Sequence, residues 1–585
     1  MDLNCRRPSR TTSLDGVWEF RWLGDGADLS DGSVESGGPL RAAGAAAGAH
    51  GSGPIAVPGC FDAMPSLAGA RGTGVYRRCF EQTPDQDGYL VFHGLGIWAA
   101  VYIDGALARV HRKPYSAFAV FVPRAAMRVR DLAVVVDNRL DTARSPLQEN
   151  YFDFYAYGGL FRSVEHVEVP QNHITSVVVS DVDLSASTVR VGVRLTQDGP
   201  CRIECAVDDG AWTSPSVDQS AGADAVDGDH AVRSFSVHVS DATPWTPENP
   251  ELHRLRVRVA PDGDDVEVRF GLRTVAVDGP RILLNGKPIR LFGWNRHESH
   301  PQYGPALPLA QLVADIQLMK QAGANFVRGS HYPQDERFLD LCDEFGLLVW
   351  EESIGWQQEE RHFANGEYVE LIVEQQREMI RAHINHPSII MWGFQNELHS
   401  EIEAARPVVE ALARECRAND RSRPVTFGTC RFPNDLCMDL VDIVSINTYP
   451  AWYSQRVDEY RPLHEIAERV DTIKAELRAQ RLDDKPLILS EIGAGAIYGW
   501  RDPHDGPWSE QYQSDYLALV CTEFRDDPSI AGLALWQFCD CRTYGSSRSL
   551  SRPRGFNNKG VLDEYRRPKL AYRTVVDLDL GSRLL

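Results

Sequence analysis

The chain has 585 residues, of which 43% are hydrophobic and 24% are charged, and its formal net charge at pH 7 is −21. This composition is typical of soluble globular proteins and excludes a disordered or fibrous chain, while the length predicts three or four domains. Because nucleic acids and anionic membranes would be repelled by this charge, we expect neither as a partner.

The N-terminal segment, residues 1–171, predicts a β-sandwich. Short β-rich runs such as GYLVFHGLG, AAVYIDG and LAVVVDN alternate with turn residues, and no amphipathic helix is recognisable between them. Residues 32–53 are rich in Gly, Ala and Ser and predict a long solvated loop. The N-terminus carries arginines but no apolar run of signal-peptide length, so we expect a cytoplasmic protein.

Residues 172–276 predict a second sandwich, of the immunoglobulin-like type. The runs TVRVGVRLT, LHRLRVRVA and DVEVRFGLRT alternate apolar and polar residues, as half-buried strands do. The number of such runs and the length of ~100 residues fit this fold.

Residues 277–585 predict a (β/α)8 barrel, because apolar runs now alternate with amphipathic helices. The helix LAQLVADIQLMKQAG repeats its apolar residues at three- and four-residue spacing. Eight strands are predicted, namely PIRLFGWN, NFVRGS, LLVWEE, IIMWGFQNE, PVTFGT, DIVSIN, PLILSE and GLALWQF.

The twelve cysteines predict reduced thiols, since they are scattered along the chain without CxxC spacing. Cys539 and Cys541 lie close to the predicted barrel mouth. A zinc site normally needs three or four ligands with recognisable spacing, so we predict no metal there.

Polar groups gather where the eight predicted strands end, which is the face on which such barrels carry their active sites. Glu397 on strand four and Glu491 on strand seven can face each other across the barrel mouth, the arrangement that glycoside hydrolysis requires. Spacing alone does not choose among four glutamates, because Glu351 and Glu352 also end a strand and are as compatible with ion-paired residues.

The amino-acid sequences of several segments resemble those of glycoside hydrolase family 2. GWNRHESHPQYG, NFVRGSHYPQDERFLDLCDEFGLLVWEE and HPSIIMWGFQNEL are similar to its barrel domain, and SLDGVWEF and YGGLFRSVEHVEV to its sugar-binding jelly roll. The resemblance covers nearly the whole chain. It implies that Glu397 is the acid/base and Glu491 the nucleophile of a retaining β-glycosidase, a chemistry that calls for no cofactor or metal.

The resemblance also implies which residues hold the terminal sugar. Asn396 would bond the 2-hydroxyl, while His297, His331 and Trp536 would line the subsite, with Trp536 as a hydrophobic platform. We further expect the charge of the nucleophile to raise the pKa of Glu397, so that the acid is protonated near neutral pH.

Similarity to the β-glucuronidases of the family implies a uronide substrate. Asn557 and Lys559 match an Asn-x-Lys motif for the substrate carboxylate, and Arg552 or Arg554 would add charge. Further sugar contacts are implied for Tyr449 and Tyr453, and for an aspartate sent from the jelly roll to the 4-hydroxyl, Asp153.

Three functions stay open at this point. The first is an exo-acting β-glucuronidase, the second a β-galacturonidase or β-galactosidase of the same family, and the third a non-catalytic carbohydrate-binding protein. Each has a carbohydrate as its partner, and a homo-oligomer is compatible with the resemblance.

Overall fold

The computed structural model describes residues 1–45, 50–197, 201–217, 232–240, 242–260, 263–453, 462–544 and 552–581. They form a jelly-roll sandwich, an immunoglobulin-like sandwich and a (β/α)8 barrel in chain order. Within these residues, no helix is long and apolar enough to cross a membrane.

The jelly roll consists of two antiparallel sheets whose facing apolar side chains form one core, with Trp18, Phe20 and Phe92 among them. The four-stranded sheet has the spatial order Thr11–Ser13, Val164–Val169, Asp87–Phe92 and Phe118–Val122. The six-stranded sheet has the order Gly53–Val57, Gly16–Gly24, Thr73–Glu81, Val129–Asp137, Trp98–Ile103 and Ala106–His111. Two short 3₁₀ turns, Phe61–Ala63 and Pro65–Leu67, follow the first of these strands.

The prediction of a long solvated loop at residues 32–53 is wrong. Two helices, Asp31–Glu35 and Gly38–Ala45, lie there, although residues 46–49 are outside the described part. Val34 and Ala43 are buried in a cluster with Trp98 on the second face of the six-stranded sheet. The alanines that made the stretch look featureless also have high helix propensity, and contact with the sheet supplies the stability that so short a helix lacks alone.

The immunoglobulin-like unit has two three-stranded antiparallel sheets around a core of valines and other apolar residues. In spatial order, one sheet contains Ile174–Asp183, Thr188–Leu195 and Arg233–His238, and the other contains Arg202–Val207, His253–Ala260 and Asp265–Phe270. A small sheet of Val275–Asp278, Arg281–Leu284 and Lys287–Ile289 leads into the barrel.

The eight predicted barrel strands are confirmed, and all neighbours are parallel. The fifth is split: Val425–Thr426 pairs with strand four and Gly428–Thr429 with strand six, so that strand five closes the ring. The other strands are Leu291–Arg296, Phe326–Gly329, Leu348–Glu352, Ile389–Gly393, Val444–Asn447, Leu487–Ile492 and Ile530–Leu535. A short antiparallel pair, Cys541–Arg542 and Phe556–Asn557, follows strand eight.

Amphipathic helices surround the barrel, and several begin and end as their sequences favour. The Asp335 side chain caps the helix that starts at Glu336, and Gly346, in the left-handed conformation, ends it. The helices after the first barrel strand are Leu309–Gln321, Glu336–Phe345, Glu360–Phe363, Gly366–His383, Arg406–Asn419, Glu465–Gln480, Glu510–Asp526 and Leu570–Asp577. Short 3₁₀ turns are Glu403–Ala405, Met438–Leu440 and Pro553–Gly555.

The jelly roll packs against the barrel through buried contacts. The Arg162 guanidinium donates to the Glu298 carboxylate at 2.9 Å, and both side chains are about 1% exposed. The rings of Tyr115 and Tyr332 stack with centroids 3.8 Å apart. A buried ion pair and a stacked aromatic pair fix the orientation of the two units. The segment after Phe152 therefore reaches the barrel mouth in a defined position.

Candidate active site

The C-terminal strand ends surround a pocket of about 350 Å³, near the small end of the range for small-molecule sites. Nine sequence-predicted site residues line it, drawn from six barrel strands or the loops after them and from the jelly roll. They are Asp153, His297, His331, Glu397, Tyr449, Tyr453, Glu491, Trp536 and Lys559. Phe154, Trp356, Gln357, Cys430 and Arg552 complete the wall.

Glu397 follows strand four and is held by neutral donors. The amide of Gln357 donates to its Oε2 at 3.0 Å, and that of Asn447 donates to its Oε1 at 3.1 Å. Its backbone has φ +53°, and its N–H donates to the Gly428 carbonyl at 2.8 Å. A non-glycine residue in this left-handed region costs of order 1 kcal/mol or more and commonly occurs at functional sites.

Glu491 ends strand seven and receives a charged donor. The Arg328 guanidinium donates to Oε1 at 2.9 Å, and the Tyr449 hydroxyl donates to Oε2 at 2.7 Å. Burial, and then the charge of Glu397, raise the pKa of Glu491 to about 8. Glu491 is also the more deeply buried of the two carboxyls, at 3% exposure against 7% for Glu397. The raised pKa expected for Glu397 from the sequence stays a prediction.

Repulsion between two close carboxylates acts on both, so the pair tends to hold one negative charge near neutral pH. The donors decide where that charge is most stable. A guanidinium and a phenol favour an ionised Glu491, whereas Glu397 has two neutral amides. The guanidinium of Arg328 and the hydroxyl of Tyr449 therefore oppose the rise in the pKa of Glu491 that burial and the charge of Glu397 cause.

Four side chains around the carboxylates have a buried polar atom with no hydrogen-bond partner among the described residues: His297 Nε2, His331 Nε2, Asn396 Nδ2 and Trp536 Nε1. Buried polar atoms are normally satisfied, and three of these four residues line the pocket. Burial lowers the pKa of both histidines well below the usual value. The charge of His331 lowers the pKa of His297 further, and the charge of Arg328 does the same for His331. Neutral imidazoles and amides suit a ligand rich in hydroxyl groups.

Asp153 comes from the jelly roll, is buried, and lines the same pocket as Glu397 and Glu491. Asn557 Nδ2 donates to its Oδ2 at 3.0 Å, Thr543 Oγ1 donates to its Oδ1 at 3.1 Å, and the Arg552 guanidinium engages both oxygens. Asn557 thus supports Asp153 and Arg552 neutralises it.

Lys559 is 2% exposed, and its Nζ donates to the Tyr453 hydroxyl at 2.8 Å. The Nζ atom also lies 5.6 Å and 5.3 Å from the ring centroids of Tyr449 and Tyr453. Among the residues that the structure describes, no carboxylate is within ion-pair distance of Lys559. A buried ammonium with only phenol and ring partners is incompletely compensated, so this end of the pocket favours an anionic ligand group.

Two models of known families match the chain. One, described as the TIM barrel domain of glycosyl hydrolases family 2, matches residues 275–576, and one described as glycosyl hydrolases family 2 matches residues 167–273. The chain belongs to glycoside hydrolase family 2. It is therefore a glycoside hydrolase that acts on a carbohydrate substrate, and the third function considered above, a non-catalytic binding protein, is set aside.

Individual members of family 2 resemble the chain over most of its length. A β-glucuronidase of Mus musculus is 27% identical over 96% of this chain and 89% of that protein. A β-galacturonidase of Eisenbergiella tayi, in a crystal structure bound to galacturonate, is 31% identical, has a TM-score of 0.84 and covers 98% of this chain and 97% of that one. A β-glucuronidase of Lactobacillus rhamnosus is 26% identical with a TM-score of 0.82, covering 99% and 98%.

The structure does not bring Arg554 into the pocket of this family 2 enzyme. Its guanidinium pairs with Glu564 at 2.9 Å, and its side chain is half exposed. Arg554 has φ +60°, so the chain turns sharply after Arg552 and directs the two arginines differently. Of the two arginines that the sequence analysis gave as alternatives, Arg552 is the one that lines the pocket.

Sequence reasoning missed Arg328, Gln357 and Cys430. Arg328 lies in an apolar strand, is 0% exposed, and also binds Glu352 through two contacts of 3.0 Å. A charged residue inside a strand of the barrel is the signal that identifies it. Gln357 and Cys430 lie in loops and carry no comparable signal.

Proposed function

We propose that this family 2 enzyme is an exo-acting, retaining β-glycosidase whose substrates are terminal β-D-glucuronides. The observation that carries the proposal is Lys559, a buried ammonium in the catalytic pocket with no carboxylate partner among the described residues. A bound uronate would supply that partner. The β-glucuronidases that the chain resembles over most of its length support the same substrate class.

In the proposed mechanism, an ionised Glu491 attacks the anomeric carbon while Glu397 transfers its proton to the glycosidic oxygen. The bond to the leaving group breaks, and a covalent glycosyl ester forms on Glu491. The negative charge of Glu491 is then lost, which makes ionised Glu397 more favourable as a base. Glu397 takes a proton from water, the hydroxide attacks the anomeric carbon, and Glu491 leaves as a carboxylate with net retention.

The substrate's uronate would lie against Lys559 and the Tyr453 hydroxyl. The sugar hydroxyls would meet Asn396, His297 and His331, each of which has a buried nitrogen with no hydrogen-bond partner among the described residues. The Trp536 ring, which lines the pocket, would lie near a sugar face. Asp153, held by Arg552 and Asn557, would accept from the 4-hydroxyl. An exo mode fits a pocket of only about 350 Å³ whose lining includes the charged residues Asp153, Arg552 and Lys559.

A β-galacturonidase is the second candidate, supported by the similarity to the galacturonate-bound enzyme over 98% of the chain. The two uronates differ only in the direction of the 4-hydroxyl, so Lys559 serves both. The Asp153 carboxylate distinguishes them, because a buried acceptor that loses its donor costs about 1 to 3 kcal/mol. A β-galactosidase would leave Lys559 uncompensated.

A panel of nitrophenyl β-glycosides with one leaving group tests the proposal. We expect kcat/KM to be highest for the glucuronide and both uronides to exceed the galactoside and glucoside by about 10²-fold or more, since only uronates pair with the buried Lys559. Highest activity on the galacturonide would select the second candidate. Highest activity on the galactoside would contradict a uronide site altogether.

Removing the charge of Glu397 should change the pH dependence. In Glu397→Gln, the pKa of Glu491 falls because one of the two causes that raise it is gone. Glu491 must be ionised to attack, so the acidic limb of kcat/KM for nitrophenyl glucuronide, which needs little acid assistance, is expected at lower pH than in the wild type. Glu403→Gln, at an exposed position, is the control with the same charge change. An acidic limb that stays at the wild-type pH in Glu397→Gln would count against electrostatic coupling between Glu397 and Glu491.

A further inference from the structure

The loop after barrel strand three, residues 353–358, packs along the segment that carries Glu397. The Asn396 N–H donates to the Gly355 carbonyl at 3.2 Å, the Gln357 N–H donates to the Asn396 carbonyl at 2.9 Å, and the His399 N–H donates to the Gln358 carbonyl at 2.8 Å. Backbone bonds in both directions tie the two segments together. A displacement of this loop would therefore displace Glu397.

Three residues at this junction have left-handed backbone conformations. Gln357 has φ +54°, Gln395 has φ +44° and Glu397 has φ +53°, and none is a glycine. Such conformations are unfavourable for residues other than glycine and persist where surrounding contacts impose them. Here the imposed geometry points the Gln357 amide at Glu397 Oε2, at 3.0 Å.

Gln357 also lines the pocket, together with Trp356 and Cys430. In the proposed mechanism the proton of Glu397 goes to the glycosidic oxygen, so the leaving group lies beside Glu397. Gln357 is therefore at the boundary between the acid/base and the leaving group. Its side chain makes no hydrogen bond to Glu491 among the described residues, which separates it from the groups that hold the nucleophile.

We propose that Gln357 is a positioning residue for Glu397: its amide fixes the carboxyl toward the glycosidic oxygen and favours the ionised form of that carboxyl. This inference rests on the proposed acid/base role of Glu397. The N–H donor opposes proton retention in the first step and supports base action on water in the second. Gln357 thereby sets the balance between the two halves of the reaction.

The test compares wild type, Gln357→Met and Gln357→Glu. Loss of the donor in Gln357→Met disfavours ionised Glu397, so the basic limb of kcat/KM should move to higher pH. Gln357→Glu has nearly the shape of glutamine and adds a like charge, so its limb should move further in the same direction. If one variant does not fold, as judged by its thermal transition, the other still provides the test.

Leaving-group dependence supplies a second readout, since a misplaced acid matters most when the leaving group is poor. For Gln357→Met we expect a loss in kcat/KM of about tenfold or more on a methyl uronide and less than about threefold on a nitrophenyl uronide. Gln358→Met changes the neighbouring amide, which does not bond Glu397, and its basic limb should coincide with that of the wild type. Equal losses on both substrates with an unmoved limb in Gln357→Met would overturn the proposal.

The measurement separates this inference from the proposed function, because it is made on whichever glycoside of the panel is cleaved fastest. If no uronide is hydrolysed but a neutral glycoside is, the substrate proposal fails and the Gln357 test remains valid. If uronides are hydrolysed and Gln357→Met retains the pH profile and the leaving-group ratio of the wild type, only the positioning role fails.

Discussion

Replacing Glu491 by Gln is expected to lower kcat on nitrophenyl glucuronide by about 10⁴-fold or more. The amide cannot form the glycosyl ester, and the remaining pocket supplies only binding and acid assistance. Steady-state kinetics over a wide range of enzyme concentration measures the loss. Glu468→Gln, on an exposed helix position, is the control with the same substitution and should retain wild-type rates. An unchanged rate in Glu491→Gln would remove this residue from the mechanism.

Small-anion rescue assigns the two glutamates separately. In Glu491→Ala, azide can occupy the space of the missing carboxylate and attack the anomeric carbon from that face, so the product should be the α-glycosyl azide. In Glu397→Ala, Glu491 still forms the ester and azide attacks from the opposite face, so the product should be the β-glycosyl azide. Reversed anomers in the product NMR spectra would exchange the roles.

Replacing Lys559 by Met is expected to lower kcat/KM for the glucuronide by about 10²- to 10³-fold. The uncharged side chain of similar length keeps the contact with the Tyr449 and Tyr453 rings but leaves the substrate carboxylate without its cation, and an unpaired buried charge costs about 3 to 5 kcal/mol. The same panel of nitrophenyl glycosides measures the change.

The preference for uronides over neutral glycosides should decrease in Lys559→Met, because the galactoside and the glucoside form no ion pair with Lys559 that the substitution could remove. The ratio of uronide to galactoside activity is therefore more informative than either rate alone. Lys287→Met, at an exposed position in the small sheet before the barrel, should leave this ratio unchanged. If Lys559→Met retains the wild-type ratio, the substrate is a neutral sugar and Lys559 has a structural role.

The local pattern of apolar and polar residues was sufficient to predict the two sandwiches and the barrel. Strand and helix periodicities are properties of short segments, so the sandwiches and the eight barrel strands followed from the sequence. The barrel rule then placed Glu397 and Glu491 at the same face, because parallel strands all end there. Their roles as acid/base and nucleophile came from the family resemblance and remain predictions that the variants above test.

The periodicity of apolar residues did not predict contacts between segments that are distant in the sequence. The two helices within residues 31–45 are stabilised by a sheet formed from strands far along the chain, and the region therefore looked like a loop. Arg552 and Arg554 are two residues apart, and only a turn with positive φ decides that one binds Asp153 and the other Glu564. Backbone turns of this kind leave little trace in a single sequence.

The sequence by itself determined that two carboxylates meet at the mouth of a barrel and that a lysine follows strand eight. The tertiary structure decided what surrounds them: Arg328 and Tyr449 on Glu491, Gln357 and Asn447 on Glu397, and a Lys559 whose ammonium has no carboxylate partner among the described residues. The physical reason is that residue type follows from the chain alone, whereas ionisation and donor geometry depend on burial and on neighbours brought together by folding.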